Sequence, residues 1–206
     1  GHSNVYRGEE KETGKKVAIK IIKDPKNLPL LLRGYLRQRD EDGNGRFVQA
    51  HRFGHDPFKG YYLVMDYEGE SLSKITSGVA RGQLLTEIEA LKIVLELLKV
   101  VEDLHRESVL GVDLKPDNFM IGEKTDGWEK APFVKLTDLD LQMALPPGKQ
   151  VSWGGIVFGT TAYMAPETCR KGTMSENADL YQIGTIFYEL LAGRGPLIGD
   201  DDPMTI

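Results

Sequence analysis

The spacing of apolar residues divides the chain into two parts near residue 67. In the first part the apolar residues form short β-branched or alternating runs, which is the pattern of strands. One helix interrupts these runs, and we expect Pro29 to limit its start and Gly34 to weaken its middle. The predicted elements are strands at 5–6, 17–22, 47–53 and 61–66 and a helix at 28–39. The first part is therefore predicted to be a sheet with one helix.

The second part has a helical period. Thr86 and Glu89 have the spacing of a capping box, and apolar residues then recur every three or four positions as far as Leu104. A further apolar helix includes Leu180 and is predicted to stop at Gly193. The predicted class is therefore α+β, with a β-rich part followed by a mainly helical part.

Composition and charge exclude several classes of protein. With 40% hydrophobic and 28% charged residues, the chain has enough apolar content to bury a core, which excludes whole-chain disorder. Cys169 is the only cysteine, so a disulfide scaffold is excluded and an intracellular, cytoplasmic location is favoured, with the nucleus left open. A net charge of −5 without a block of basic residues argues against nucleic acid as a partner. The longest apolar run, 93–101, is interrupted by Glu96 and Lys99, so no membrane span is predicted.

Three separated segments carry the polar residues of chemical interest. Residues 17–20 place Lys20 on a strand otherwise suited to burial. Residues 113–118 combine a carboxylate, an ammonium and an amide, and residues 135–138 end in a carboxylate after a short predicted strand. Each segment alone also has an ordinary explanation, as an edge-strand lysine, a turn and a strand-end cap.

Two more segments make the combination specific. Residues 159–167 read Gly-Thr-Thr-Ala-Tyr-Met-Ala-Pro-Glu, and Asp179 is followed five positions later by Gly184. In this order and at these separations, the five segments resemble the eukaryotic-type protein kinase family, of a divergent Ser/Thr type, along essentially the whole chain.

The resemblance implies a bilobal fold. The β-rich N-lobe would occupy 1–66, beginning inside the glycine-rich loop, and the hinge would be 67–69. A partial, mainly helical C-lobe would occupy 70–206 and lack the family's later helices. The apolar face of the helix at 180–191 would then be partly uncovered.

The resemblance also implies ATP and Mg²⁺ as cofactors and assigns a role to each polar residue. Lys20 would hold the α- and β-phosphates, and Asn118 and Asp138 would bind Mg²⁺ through hard oxygen atoms. Asp113 would accept or orient the proton of the attacking hydroxyl. Lys115 would stabilise charge on the transferred phosphate.

For the adenine ring, the resemblance implies apolar walls and a hinge. Val5 and Ala18 would cover the ring, Met120 would lie beneath it, Met65 would be the gatekeeper, and Asp66, Tyr67 and Glu68 would form the hinge. The apolar members of this set are equally explained as core residues, and both explanations can hold together.

The implied substrate is a serine or threonine hydroxyl of a protein. Lys115 stands two positions after Asp113, as in Ser/Thr kinases, and Thr160 lies where such kinases tie the substrate-binding loop to the catalytic residues. The segment 165–167, Ala-Pro-Glu, favours a protein over a small-molecule substrate.

Two departures from the family pattern concern the phosphate side of the cleft. The glycine-rich loop is only partly present, with Ser3 at its third glycine. Residues 25–39 contain no acidic side chain, so Lys20 either lacks its usual helix glutamate or takes a partner from 40–42, Asp-Glu-Asp.

Two further departures concern the catalytic residues. Gly111 and Val112 replace the usual His-Arg, which argues against control by phosphorylation of the activation segment. Asp140 replaces a glycine beside the proposed metal ligand, and its charge either strengthens Mg²⁺ binding or opposes ATP.

The sequence therefore supports a divergent protein kinase, because all five residues of the chemistry are present. A pseudokinase that keeps the fold as a nucleotide-binding or scaffolding module is the alternative, and a small-molecule kinase is a third hypothesis. Binding of Mg²⁺-ATP followed by a phosphotransfer assay separates them.

Overall fold

The computed structural model describes residues 3–22, 24, 26, 28–37, 45–83, 85–126, 129–141, 143–144, 150–152 and 159–196. Its helices are α1 (Leu28–Arg37), α2 (Leu72–Ala80), α3 (Glu87–Arg106), α4 (Pro166–Lys171) and α5 (Glu176–Ala192). Its longer strands are β1 (Asn4–Glu9), β2 (Lys16–Ile22), β3 (Ala50–Asp56), β4 (Gly60–Asp66), β7 (Phe119–Asp126) and β8 (Glu129–Leu136). Two-residue strands are β5 (Glu70–Ser71), β6 (Val109–Leu110), β9 (Met143–Ala144), β10 (Val151–Ser152) and β11 (Thr173–Met174).

The first part of the chain is a four-stranded antiparallel sheet in the order β1-β2-β4-β3. The β-branched run predicted as a buried strand is β2, which pairs on both sides. Val5 lies opposite Lys20 and Ala18 lies opposite Met65. Because alternate residues of a strand share a face, these four side chains lie on one face of the sheet. That face covers the candidate site.

The second part is built around α3 and α5, and the predicted α+β class is confirmed. The capping box is present, since the backbone N–H of Glu89 donates to Thr86 Oγ1 at 3.2 Å and Thr86 N–H donates to Glu89 Oε2 at 2.8 Å. Helix α5 ends before Gly193, which has a left-handed φ of 70°. A Cβ there would lie 3.1 Å from the Val79 carbonyl oxygen, so glycine also allows close approach to α2.

The apolar period of α3 correctly predicted the helix, but it did not distinguish the buried face from the exposed face. Some members of the predicted stripe are buried in the core: Val94, Val101 and Leu104. Others are exposed: Ile88, Leu91, Leu95 and Leu98. In α5, likewise, Leu180 and Leu191 are exposed, whereas Ile183 and Leu190 are buried. Both helices therefore carry apolar residues on two faces.

The mainly helical second part contains more strand than the sequence predicts, because only a short strand before Asp138 is expected between residues 119 and 136. These residues form the antiparallel hairpin of β7 and β8, which pairs Phe119 with Leu136 and Glu123 with Pro132. Charged residues and the proline conceal the strand alternation in the sequence. The register places Asn118 and Thr137 at the same end of the hairpin, where Thr137 N–H donates to the Asn118 carbonyl at 2.8 Å.

Smaller differences concern the elements before the hinge. The strand predicted at 47–53 is β3, which begins at Ala50. Phe47 instead makes a parallel bridge to Leu136 and connects the sheet to the hairpin. Helix α1 begins at Leu28 as predicted, and residues 38–39 lie outside the described part of the chain. In the portion of the chain that the structure describes, no helix has the length and apolar content needed to cross a bilayer.

Candidate active site

A cavity of about 350 Å³ lies between the sheet and the start of the hairpin. Every residue that the sequence predicted for nucleotide binding lines it: Val5, Ala18, Lys20, Met65, Asp66, Tyr67, Glu68, Met120 and Asp138. Asn118, the other predicted metal ligand, also lines it. The cavity therefore gathers the predicted residues from five separate stretches of the chain.

Sequence reasoning missed several residues of the same wall. They are Val48, Ser71, Asp117 and Thr137, whereas Gly69, which also lines the cavity, belongs to the predicted hinge. Thr137 is directly before Asp138 in the sequence, and its Oγ1 donates to Met65 Sδ at 3.7 Å. Thr137 could have been predicted as a lining residue because it directly precedes Asp138, a predicted metal ligand.

Lys20 lies in a buried ion-pair centre at the inner end of the cavity. Its side chain is only 4% exposed, and its ammonium contacts both the Asp138 and the Asp140 carboxylates. Burial alone would lower the pKa of Lys20, but the two carboxylates outweigh it and the pKa is raised. Helix α1 supplies no acidic partner, as the sequence indicates, and Asp140 supplies a carboxylate that was not considered as a partner of Lys20. Residues 40–42, the partners considered from the sequence, lie outside the described residues.

Asp140 occupies a 3-10 turn, Leu139–Leu141, that directly follows Asp138. Asp138 has the left-handed φ of 61°, so this turn does not need a glycine at position 140. Burial raises the pKa of Asp140 to about 6, while the Lys20 ammonium opposes this rise and the Asp138 carboxylate adds to it.

The predicted catalytic loop, residues 111–118, forms a second cluster, around Asp113. Lys115 Nζ donates to Asp113 Oδ2 at 2.8 Å and to Thr160 Oγ1 at 2.9 Å. The backbone N–H of Thr160 donates to Asp113 Oδ1 at 2.8 Å. Asn118 Nδ2 donates to the Asp113 carbonyl at 2.8 Å. The four side chains therefore form one connected network, with Thr160 in the tying position that the sequence suggested.

Helix α5 supports this loop from beneath through two buried polar side chains. Asp179 accepts hydrogen bonds from the backbone N–H groups of Gly111 at 2.9 Å and Val112 at 3.3 Å. Gln182 accepts from Leu114 N–H at 3.0 Å and donates to the Val112 carbonyl at 2.9 Å. Because these backbone groups are buried, the helix supplies the partners that water cannot.

The support is needed because the loop backbone is strained. Val112 has a φ of 66°, which is unfavourable for a β-branched residue and costs about 1–3 kcal/mol. At Gly111 a Cβ would lie 2.5 Å from the Leu114 side chain. Leu114 thus fills the space that a histidine at position 111 would require, which gives a physical reason for this departure from the kinase pattern.

The oxygen atoms around the cavity suit a hard cation. The NH₂ group of Asn118 is engaged by the Asp113 carbonyl, so its amide oxygen is the atom directed to a ligand. Asp138 contributes a carboxylate on the same cavity. Across the residues that the structure describes, no three His, Cys, Asp or Glu side chains form a group able to hold a metal. Two protein oxygens supplemented by phosphate and water fit Mg²⁺, which usually keeps several waters.

Comparison with known proteins agrees with this geometry. The family model described as "Protein kinase domain" matches residues 1–205. The chain is 29% identical over 211 residues to mouse "Myosin light chain kinase family member 4", covering 98% of this chain and 50% of that protein. It is 29% identical over 205 residues to "Serine/threonine-protein kinase PrkC" of Bacillus subtilis, covering 97% and 30%. It is 31% identical over 205 residues to "Serine/threonine-protein kinase dkf-2" of Caenorhabditis briggsae, covering 96% and 16%. The chain thus spans half of the first relative's length and less of the others.

Proposed function

This chain belongs to the protein kinase domain family, and from that premise we propose that it transfers the γ-phosphate of ATP to serine or threonine hydroxyls of a protein. The observation that carries the proposal is the network of Asp113, Lys115 and Thr160 beside the nucleotide-sized cavity. Relatives named serine/threonine-protein kinases support the same hydroxyl class.

The lining of the cavity supports placing the nucleotide there. The apolar side chains of Val5, Ala18 and Met120 provide surfaces for a flat ring. The backbone of 66–68 provides polar groups at the ring edge, and Lys20 lies where phosphates would enter. Asn118 and Asp138 would hold Mg²⁺, which when bound offsets the negative charge of the phosphate oxygens.

The catalytic loop promotes the transfer by holding the groups that react with the substrate hydroxyl in position. The hydroxyl oxygen of the substrate attacks the γ-phosphorus as the bond from that phosphorus to the departing ADP oxygen breaks, and Asp113 receives the hydroxyl proton. Two hydrogen bonds, from Lys115 and from Thr160 N–H, hold the Asp113 carboxylate in one orientation. Lys115 also places a positive charge beside the transferred group.

The lobes and the location follow from the same proposal. We place the N-lobe at 1–66, the hinge at 67–69 and the C-lobe at 70–206. An intracellular location is supported by the use of ATP and by the single cysteine. The protein substrate remains defined only by its class.

The test compares the wild-type chain with Asp113→Asn in a phosphotransfer assay with Mg²⁺-ATP and a serine- and threonine-containing protein substrate. We expect Asp113→Asn to lower kcat by about 10²–10⁴-fold while nucleotide binding persists, because only proton acceptance and orientation are removed. Glu102→Gln, on the exposed side of α3, is the matched control and should retain full activity. Nucleotide binding with no transfer above the Asp113→Asn level would refute the enzyme and leave a binding module.

A further inference from the structure

The two carboxylates that share Lys20 face different surroundings. Asp138 is 42% exposed at its side chain and lines the cavity. Asp140 is 14% exposed, and it is absent from the cavity lining. Of the two carboxylates, only that of Asp138 is therefore placed to turn towards a cation in the cavity.

Helix α1 brings no carboxylate to this centre. Its ten residues, Leu28–Arg37, contain no acidic side chain. The 3-10 turn that carries Asp140 packs directly against α1. The additional carboxylate that reaches Lys20 therefore comes from this turn and not from the helix.

Charge balance gives the two carboxylates separate tasks. One ammonium with two carboxylates leaves an excess negative charge beside the cavity, which a divalent cation would offset. Once Asp138 directs an oxygen to that cation, Lys20 needs another partner, because an unpaired buried ammonium is costly.

We propose that Asp140 is the positioning residue for Lys20, holding its ammonium in place when Asp138 turns to the metal. This inference rests on the proposed function, and it gives Asp140 the role for which α1 supplies no residue. Its charge is then used by Lys20, so it neither coordinates the metal nor opposes the nucleotide. Asp140 acts through Lys20 and does not touch the reacting atoms.

The first test needs no nucleotide. If Asp140 alone holds Lys20, the Asp138→Asn variant keeps a lysine–carboxylate pair and unfolds near the wild-type temperature. Asp138→Asn combined with Asp140→Asn removes both carboxylates and should lower Tm by about 5 °C or more. Melting temperatures of the ligand-free proteins measure this. An Asp138→Asn variant that melts as low as the double variant overturns the proposal, whether or not the protein is an active kinase.

The second test measures ADP affinity by calorimetry across a series of Mg²⁺ concentrations. At saturating Mg²⁺ we expect Asp140→Asn to weaken ADP binding about tenfold, which is about 1.4 kcal/mol, and Asp140→Glu to restore part of it. The Mg²⁺ concentration for half-maximal binding should stay unchanged in Asp140→Asn and rise in Asp138→Asn.

Three results of the second test would overturn the proposal. Tighter ADP binding by Asp140→Asn would mean that its charge opposes the nucleotide. A loss of affinity that disappears at high Mg²⁺ would make Asp140 a metal ligand, and unchanged affinity would deny it any role. Normal ADP binding by wild type without phosphotransfer would instead refute only the proposed function.

Discussion

Two lysine–carboxylate centres flank the proposed path of the phosphate, and they are built differently. Lys115 is 25% exposed and meets one carboxylate, Asp113, whose other oxygen is held by a backbone N–H. Lys20 is buried and meets two carboxylates. Buried side chains of α5 also fix the backbone of the Asp113 loop, whereas the backbone at Lys20 is held by strand pairing within the sheet.

The difference separates a site that is complete in the folded chain from one whose charge is unbalanced. The catalytic loop has its partners before any ligand binds, so its geometry costs nothing further during the reaction. The Lys20 centre has an excess carboxylate and reaches balance only with an additional cation. The hydroxyl side of the cleft is therefore preorganised, whereas the nucleotide side changes its charge balance when a ligand binds.

The largest effect should come from removing each lysine in turn. Lys20→Met leaves the largely buried Asp140 and the more exposed Asp138 without their cation, and we expect the free energy of unfolding to fall by about 3 kcal/mol, mostly through Asp140. Lys115→Met removes a partly exposed ion pair, and the free energy of unfolding should fall by less than about 1 kcal/mol. Urea denaturation of both variants measures the two values. Equal losses would mean that the centres do not differ in burial as described.

An intermediate effect is expected for Asp179→Asn, which tests the support beneath the catalytic loop. The amide retains one acceptor oxygen but turns a donor towards a backbone N–H, so one buried bond is lost and a donor is left facing a donor. We expect the free energy of unfolding to fall by about 2 kcal/mol, with a lower kcat and little change in ADP affinity. An equal loss of ADP affinity would show that α5 supports both centres alike.

The smallest effect concerns Thr160. Thr160→Val keeps the backbone N–H that binds Asp113 but removes the hydroxyl that accepts from Lys115. One lost hydrogen bond corresponds to about a tenfold lower kcat/KM. Thr160→Ser retains the hydroxyl and is the matched control. Wild-type kinetics of Thr160→Val would mean that only the backbone N–H of Thr160, and not its hydroxyl, holds the catalytic residues.

The nucleotide wall was predictable because it depends on residues in recognisable segments. Val5, Ala18 and Met120 were proposed from the family pattern, and all three line the cavity. The partner of Lys20 was not predictable in the same way. Asp140 was noticed as a departure, but its contact with Lys20 depends on how a 3-10 turn directs its side chain after the left-handed Asp138.

The sequence predicted the helices of the core from their apolar period, but it did not predict which helix face is buried. A helix with apolar residues on two faces gives the same spacing signal for Leu95, which is exposed, as for Val94, which is buried. Only packing against α5 and the hairpin selects the inner face. A short strand before Asp138 was predicted, but the full hairpin was not, because pairing of β7 with β8, rather than local alternation, stabilises strands that contain charges and a proline.

The hairpin also sets an order in which the site is assembled. Asn118 and Asp138 lie at the two chain ends of the β7–β8 hairpin. They therefore come together when β7 pairs with β8, which forms contacts between residues close in sequence. Lys20 stands 118 residues before Asp138, and its arrival requires the long-range docking of the sheet. We expect the ligands of the cation to be paired early in folding and the lysine that counterbalances them to arrive last, as the two parts of the chain come together.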